Sequence, residues 1–124
     1  MDTSPNQPFP DLVGIETEDG RTVVRTTAEH ANRNGAVHGG LTATLVDIAM
    51  GTAVRETLDG GQGAATLQMS LTYLNPAKPG DTLLATAEVG KRGADVVLLT
   101  CSVVTEGGTD IAEAVGTYTI LDVD

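Results

Sequence analysis

The sequence predicts an α+β domain in which an antiparallel sheet curls round one long central helix. Three observations carry this. The 124 residues suffice for one compact domain and no more. From Gly39 through Val54 the only ionisable residue is Asp47, in a segment rich in Ala, Leu, Val, Ile and Met. That pattern is a helix apolar nearly all round, and therefore buried. Two strand-like runs precede it and four follow it. One apolar helix among antiparallel strands is best buried by a sheet that wraps it.

The elements follow in order. Residues 1–10 are polar and Pro-rich and are expected to be loose or laid over the surface; residues 11–124 form the single domain. Leu12–Thr17 and Thr22–Thr27 read as strands joined by Glu18-Asp19-Gly20-Arg21, an Asp-Gly hairpin signal. Glu29–Val37 is a loop. The helix runs from about Gly39 to Thr57 and ends at Asp59-Gly60-Gly61-Gln62-Gly63. In Thr66–Leu74, residues Leu67, Met69, Leu71 and Tyr73 alternate with Thr66, Gln68, Ser70 and Thr72, which predicts a strand with one apolar side. Asn75–Gly80 is a turn. Thr82–Val89, Asp95–Thr105 and Ile111–Leu121 complete the sheet, joined by Gly90-Lys91-Arg92-Gly93 and Glu106-Gly107-Gly108-Thr109. Such long strands leave an edge that a second copy can pair with.

Charge narrows the function classes. Seventeen acids against seven bases give a net charge of −10, which disfavours nucleic acid. Few lysines and many acids are similar to the composition of proteins from extreme halophiles. No apolar run is long enough to span a membrane, and the N-terminus lacks the basic and apolar regions of a secretory signal, so a cytoplasmic protein is expected. Cys101 is the single cysteine; it lies in a strand-like run and reads as a small core residue. Two histidines and one cysteine lack the spacing of a metal site. His30 has no evident partner and is expected at the surface.

Asp47 is the first clue to chemistry, because a carboxylate inside an apolar helix is costly unless paired or used. The helix start is the second. No Ser, Thr, Asp or Asn stands immediately before Leu41; His38, Gly39 and Gly40 do. The first N–H groups of a helix lack partners within it, and glycine lets a ligand oxygen approach them. One feature can polarise a carbonyl and the other can handle water. Gly39 and Asp47 are eight residues apart, roughly 12 Å along a helix. They cannot both touch one carbonyl carbon from within one chain. A shared site therefore predicts that two subunits complete it across a two-fold axis.

The pattern Asn-x-x-Gly-x-x-His-Gly-Gly at Asn32–Gly40, then Asp47, then Tyr73-Leu74-Asn75-Pro76-Ala77 and Gly80-Asp81, resembles the hotdog-fold acyl-CoA thioesterases, closest to their phenylacetate-degradation-type branch. The likeness covers about Leu12 to Leu121. It implies that Asp47 is the catalytic carboxylate, either a general base on water or a nucleophile on the thioester. It implies that the Gly39 N–H receives the thioester carbonyl, that His38 flanks that point, and that Asn32 helps to place the thioester or water. Thr66 falls where a relative carries a serine that assists the water, and keeps the hydroxyl. The hairpin at Lys91, Arg92 and Gly93 would lie near the coenzyme A phosphates, with Arg33 a further contact. The resemblance also implies a homodimer at minimum, usually doubled to a homotetramer, with acyl-CoA as substrate and no separate cofactor. Two alternatives stay open: a hydratase or dehydratase of acyl thioesters on the same fold, and a non-catalytic acyl-CoA-binding protein.

Overall fold

The computed structural model describes residues 7–123. It contains a short helix α1 (Pro8–Val13), strands β1 (Ile15–Glu18) and β2 (Arg21–Arg25), a 3-10 turn at Ala28–His30, and the long helix α2 (Gly39–Arg55). Strands β3 (Gln62–Tyr73), β4 (Thr82–Arg92), β5 (Val96–Thr105) and β6 (Asp110–Asp122) follow. All six strands join one antiparallel sheet in the order β1-β2-β4-β5-β6-β3. The sheet curls round α2, the α+β architecture that the sequence predicts. No helix among the described residues is long and apolar enough to cross a membrane.

The core lies between α2 and the concave face of the sheet. Leu45, Met50 and Val54 of the helix and Leu83, Val97, Val103 and Ile111 of the strands are fully buried there. Gly116 of β6 sits under the helix: a Cβ at this position would stand 2.7 Å from Met50 Cε, so glycine lets helix and strand approach closely. Helix burial is not uniform, however. Ala43, Thr44, Asp47, Ile48 and Thr52 are only partly covered. The expectation of a helix buried all round is corrected accordingly: β1 and β3, the two edge strands, leave one flank of α2 incompletely covered.

Three further expectations change. Pro8, Phe9, Pro10 and the chain on to Val13 are not loose but helical. Pro at the start suits a first helical turn, and Gly14, at φ 81°, caps the end. This helix also takes Leu12 and Val13 out of the expected first strand, while residues 1–6 of the expected loose segment lie outside the described residues. The β1–β2 turn has Asp19 at φ 51° and Gly20 at φ 77°, the left-handed pair that a two-residue hairpin demands. Finally, β4 runs on to Arg92, so Lys91 and Arg92 end a strand rather than form the turn.

The most consequential difference is in β3. Its register against β6 slips between Thr66 and Gln68, leaving Leu67 as a bulge residue. Leu67 is 58% exposed. A bulge adds one residue and reverses the side-chain phase. Thr66, which simple alternation puts opposite Met69 and Leu71, thereby joins their helix-facing side.

Candidate functional site

The middle of α2 carries the carboxylate. Thr66 Oγ1 donates to Asp47 Oδ1 at 2.7 Å. The Tyr118 hydroxyl donates to the same oxygen and lies 2.8 Å from the Asp47 carbonyl oxygen. Thr66 and Tyr118 are register partners on β3 and β6, so paired residues share a face of the sheet and reach Asp47 together. Tyr118 is buried. Burial first, and then its hydrogen bond to Asp47, push its phenol above the ordinary range, so it remains a donor. Both hydroxyls land on Oδ1, while Oδ2 accepts no hydrogen bond among the described residues. Asp47, Gly51, Arg55, Thr66 and Tyr118 line a cleft of about 230 Å³ that Gln7 and Pro10 also border.

The mouth of α2 is built differently. His38 is the N-cap, and its Nδ1 accepts the Gly40 N–H at 2.8 Å. The expectation of a helix without a capping side chain is corrected here: the imidazole does what a Ser or Asp ordinarily does. The Leu41 N–H goes to the His38 carbonyl. The Gly39 N–H has no acceptor among the described residues. Tyr73 Oη donates to the Gly39 carbonyl at 2.7 Å, and a Cβ at Gly39 would meet that hydroxyl at 3.3 Å. Gly39, Tyr73, Ala77 and Ile111 help to line a separate cleft of about 270 Å³.

Asn32 shapes the loop before His38. Its Oδ1 accepts the Asn34 and Ala36 N–H groups at 2.8 and 3.1 Å, and an Ala31–Val37 bridge closes the base. Its amide oxygen is thus turned into the loop. Arg33 is exposed at the tip of that loop. His30 is not a free surface residue: Nδ1 accepts the Thr27 N–H at 3.0 Å, which leaves Nε2 to donate to the Val13 carbonyl at 2.8 Å. It ties α1 to the loop: the Thr27 contact is a local capping box, while the Val13 contact, 17 residues away, is displayed by no local pattern.

Lys91 and Arg92 are exposed at the end of β4. Arg92 bends onto the carbonyls of Gly93 and Ala94. Gly93 is required by the turn, since a Cβ there would stand 2.8 Å from the Val96 carbonyl oxygen. Cys101 is buried, and burial, with Glu113 second, pushes its thiol up to about 12, which makes it a poor nucleophile. No cluster of three or more metal-ligating side chains occurs among the described residues.

The structure brings Asp47 and Thr66 together and sets Gly39, His38 and Asn32 around the other end of the helix. Sequence reading misses Tyr118 and Tyr73. Tyr118 shows no local signal of its role; only the β3–β6 register, bulge included, reveals it. Tyr73 is quoted in the motif, but its contact with Gly39 spans 34 residues.

The family model of the thioesterase superfamily matches residues 34–112. Mouse acyl-coenzyme A thioesterase 13 is 40% identical over 70 residues, 56% of this chain and 49% of that protein. The chain thus spans about half the length of the curated relatives it matches. The BH2602 protein of Bacillus halodurans, solved with CoA, superposes with a TM-score of 0.87 at 30% identity, over 94% of this chain and 78% of that one. The PaaI protein of the Escherichia coli phenylacetic acid degradation operon shares the fold, with a TM-score of 0.85 at 24% identity over 96% and 89%. With the wrapped central helix, the glycine mouth and the tethered carboxylate, these likenesses place the chain in the thioesterase superfamily.

Proposed function

We propose that this protein hydrolyses acyl-CoA thioesters, and that each active site is shared by two subunits. The observation that carries this is Asp47, held through Oδ1 by Thr66 and Tyr118, on a helix whose first N–H, at Gly39, remains available. A carboxylate so tethered presents Oδ2 to a water molecule. The Gly39 N–H of the other subunit, with the positive end of its helix, receives the thioester carbonyl oxygen.

In the proposed reaction, Asp47 Oδ2 takes a proton from water as the water oxygen bonds to the carbonyl carbon. The resulting oxyanion lies at the Gly39 N–H. It collapses, the carbon–sulfur bond breaks, and the coenzyme A thiolate leaves and takes up the proton. The products are a free carboxylic acid and coenzyme A. His38 shapes the oxyanion site by capping the helix, and Asn32 does so by folding the loop that delivers His38. Lys91, Arg92 and Arg33 are exposed cations suited to the phosphates of coenzyme A.

Two subunits are needed because Gly39 and Asp47 stand roughly 12 Å apart along one helix. β3 lies at the sheet edge and Leu67 is exposed on it. Antiparallel pairing of two β3 strands would bring the partly covered flanks of two α2 helices together. That makes a homodimer the minimal unit, and a homotetramer its doubling.

Thiol release from a panel of acyl- and aryl-CoA esters tests the activity, with Asp47→Asn beside the wild type. Release that disappears in the variant supports it. Tight binding without release favours the binding-protein alternative, and hydration of an enoyl-CoA favours the hydratase. A single turnover in ¹⁸O-water that labels Asp47 identifies it as the nucleophile, because water then opens the acyl–Asp47 anhydride at the aspartyl carbonyl; a general base never acquires the label.

A further inference from the structure

The Asp47 cleft contains a cation that the hydrolytic scheme leaves unused. Arg55 lines it with Asp47, Thr66 and Tyr118. Asp47, Gly51 and Arg55 follow at four-residue intervals along α2, so they share one face of the helix. The Arg55 side chain bends back over Gly51. A Cβ at Gly51 would stand 3.7 Å from Arg55 Nη1 and 3.8 Å from Tyr118 Cε2. The guanidinium and the Tyr118 ring thus flank one point, a single helical turn from Asp47. Gly51, Ala64 and Ala65 leave that part of the cleft open, because none has a side chain larger than a methyl group.

Arg55 also has no ionic partner among the described residues. The one ion pair among them joins Arg25 to Glu18, and Arg92 turns onto backbone carbonyls. Arg55 does neither, in a chain with 17 acids and seven bases. A guanidinium fork that faces a cleft is suited to a carboxylate, which it can hold through two parallel hydrogen bonds.

We infer that Arg55 makes this cleft a subsite for a carboxylate at the far end of the acyl group, so that coenzyme A monothioesters of short dicarboxylic acids are the preferred substrates. The inference rests on the thioester-hydrolase reading for the position of the reacting carbonyl at Asp47. The four residues from Asp47 to Gly51 rise roughly 6 Å along the helix, a span suited to a glutaryl or adipyl chain.

Binding separates this inference from catalysis. Calorimetry of adipyl-CoA and hexanoyl-CoA on full-length Asp47→Asn protein, with and without Arg55→Gln, gives two affinity ratios. Arg55 is exposed, so the expected preference for adipyl-CoA is about fivefold, the upper range of a solvent-screened ion pair, and Arg55→Gln brings the ratio near one. Arg55→Lys, which keeps the charge and loses the fork, restores part of it. Equal affinities before the Arg55 change overturn the inference. So does an Arg55→Gln change that weakens both ligands alike, which would assign Arg55 to the coenzyme A phosphates. Wild-type thiol release from hexanoyl-CoA reports separately on the hydrolase reading: if neither thioester is cleaved but the binding ratio holds, the hydrolase reading fails and the carboxylate subsite stands.

Discussion

The first turn of α2 and its middle differ in how they are made. At the mouth, His38 caps Gly40 two residues away and Asn32 folds the loop through Asn34 and Ala36. Two longer ties join them, from Tyr73 to the Gly39 carbonyl and from the Val37 N–H to the Ala77 carbonyl. In the middle, Asp47 is held by Thr66, 19 residues away, and by Tyr118, 71 residues away. The mouth offers a backbone donor that needs no side chain. The middle offers a side chain that needs the whole sheet. In the proposed reaction one helix carries both halves of a hydrolytic site, and neither half completes a site within its own subunit.

Breaking the middle should cost most. Asp47→Asn keeps the shape but removes the proposed base, and turnover should fall by roughly 10²- to 10⁴-fold while acyl-CoA still binds. Stopped-time thiol release with calorimetry measures both; loss of binding instead would make Asp47 structural. At the mouth, Gly39→Pro removes the N–H at a position where Pro suits the helix. Turnover should drop by roughly 10²- to 10³-fold. Gly39→Ala places a similar crowding Cβ against Tyr73 but keeps the N–H. Equal losses in the two variants would refute the donor role.

The tether sharpens the contrast at smaller scale. Tyr118→Phe and Thr66→Ala should each lower turnover by about tenfold, the range of a hydrogen bond to a charged group, and Thr66→Ser should recover most of it. Steady-state kinetics decides; a Thr66→Ser variant as poor as Thr66→Ala would leave the hydroxyl without a role.

The fold as a whole should weaken in alkali. Cys101 and Tyr118 both have folded values raised above their ordinary ones, Cys101 from 9.0 to about 12. Each raised value contributes stability that is full below the unfolded pKa and is lost as pH rises through the folded one. The melting temperature should therefore decline from about pH 9 upward. Calorimetric scans should show a shallower decline in Cys101→Ser, whereas an unchanged slope would mean that the thiol is better solvated than its burial implies. Smallest is Lys91→Ala with Arg92→Ala: KM for acyl-CoA should rise a few-fold, with weaker dependence on salt.

The same division explains what could be read from the sequence. Strand count, the helix and the hairpin at Asp19–Gly20 are written in local periodicity and turn chemistry. Gly39 and Asp47 are visible because glycine at a helix mouth and a lone carboxylate in an apolar run are anomalies of composition. Thr66 could be named from the family resemblance, but its inward direction depends on the Leu67 bulge, which alternation cannot reveal. Tyr118 looks like any strand tyrosine until β6 is paired with β3. His38 and His30 show the converse: both ring systems satisfy backbone groups, a use that depends on side-chain direction and not on spacing.

In the proposed enzyme, Gly39 of one subunit and Asp47 of the other form one site. Mixed oligomers test it most directly. Asp47→Asn and Gly39→Pro proteins, each inactive alone, are to be unfolded, mixed in equal amounts and refolded together. Random pairing leaves one intact site in every mixed dimer, so thiol release should return to about one quarter of wild type. A mixture no more active than its parents, with mixed dimers present by mass spectrometry, would contradict the shared site.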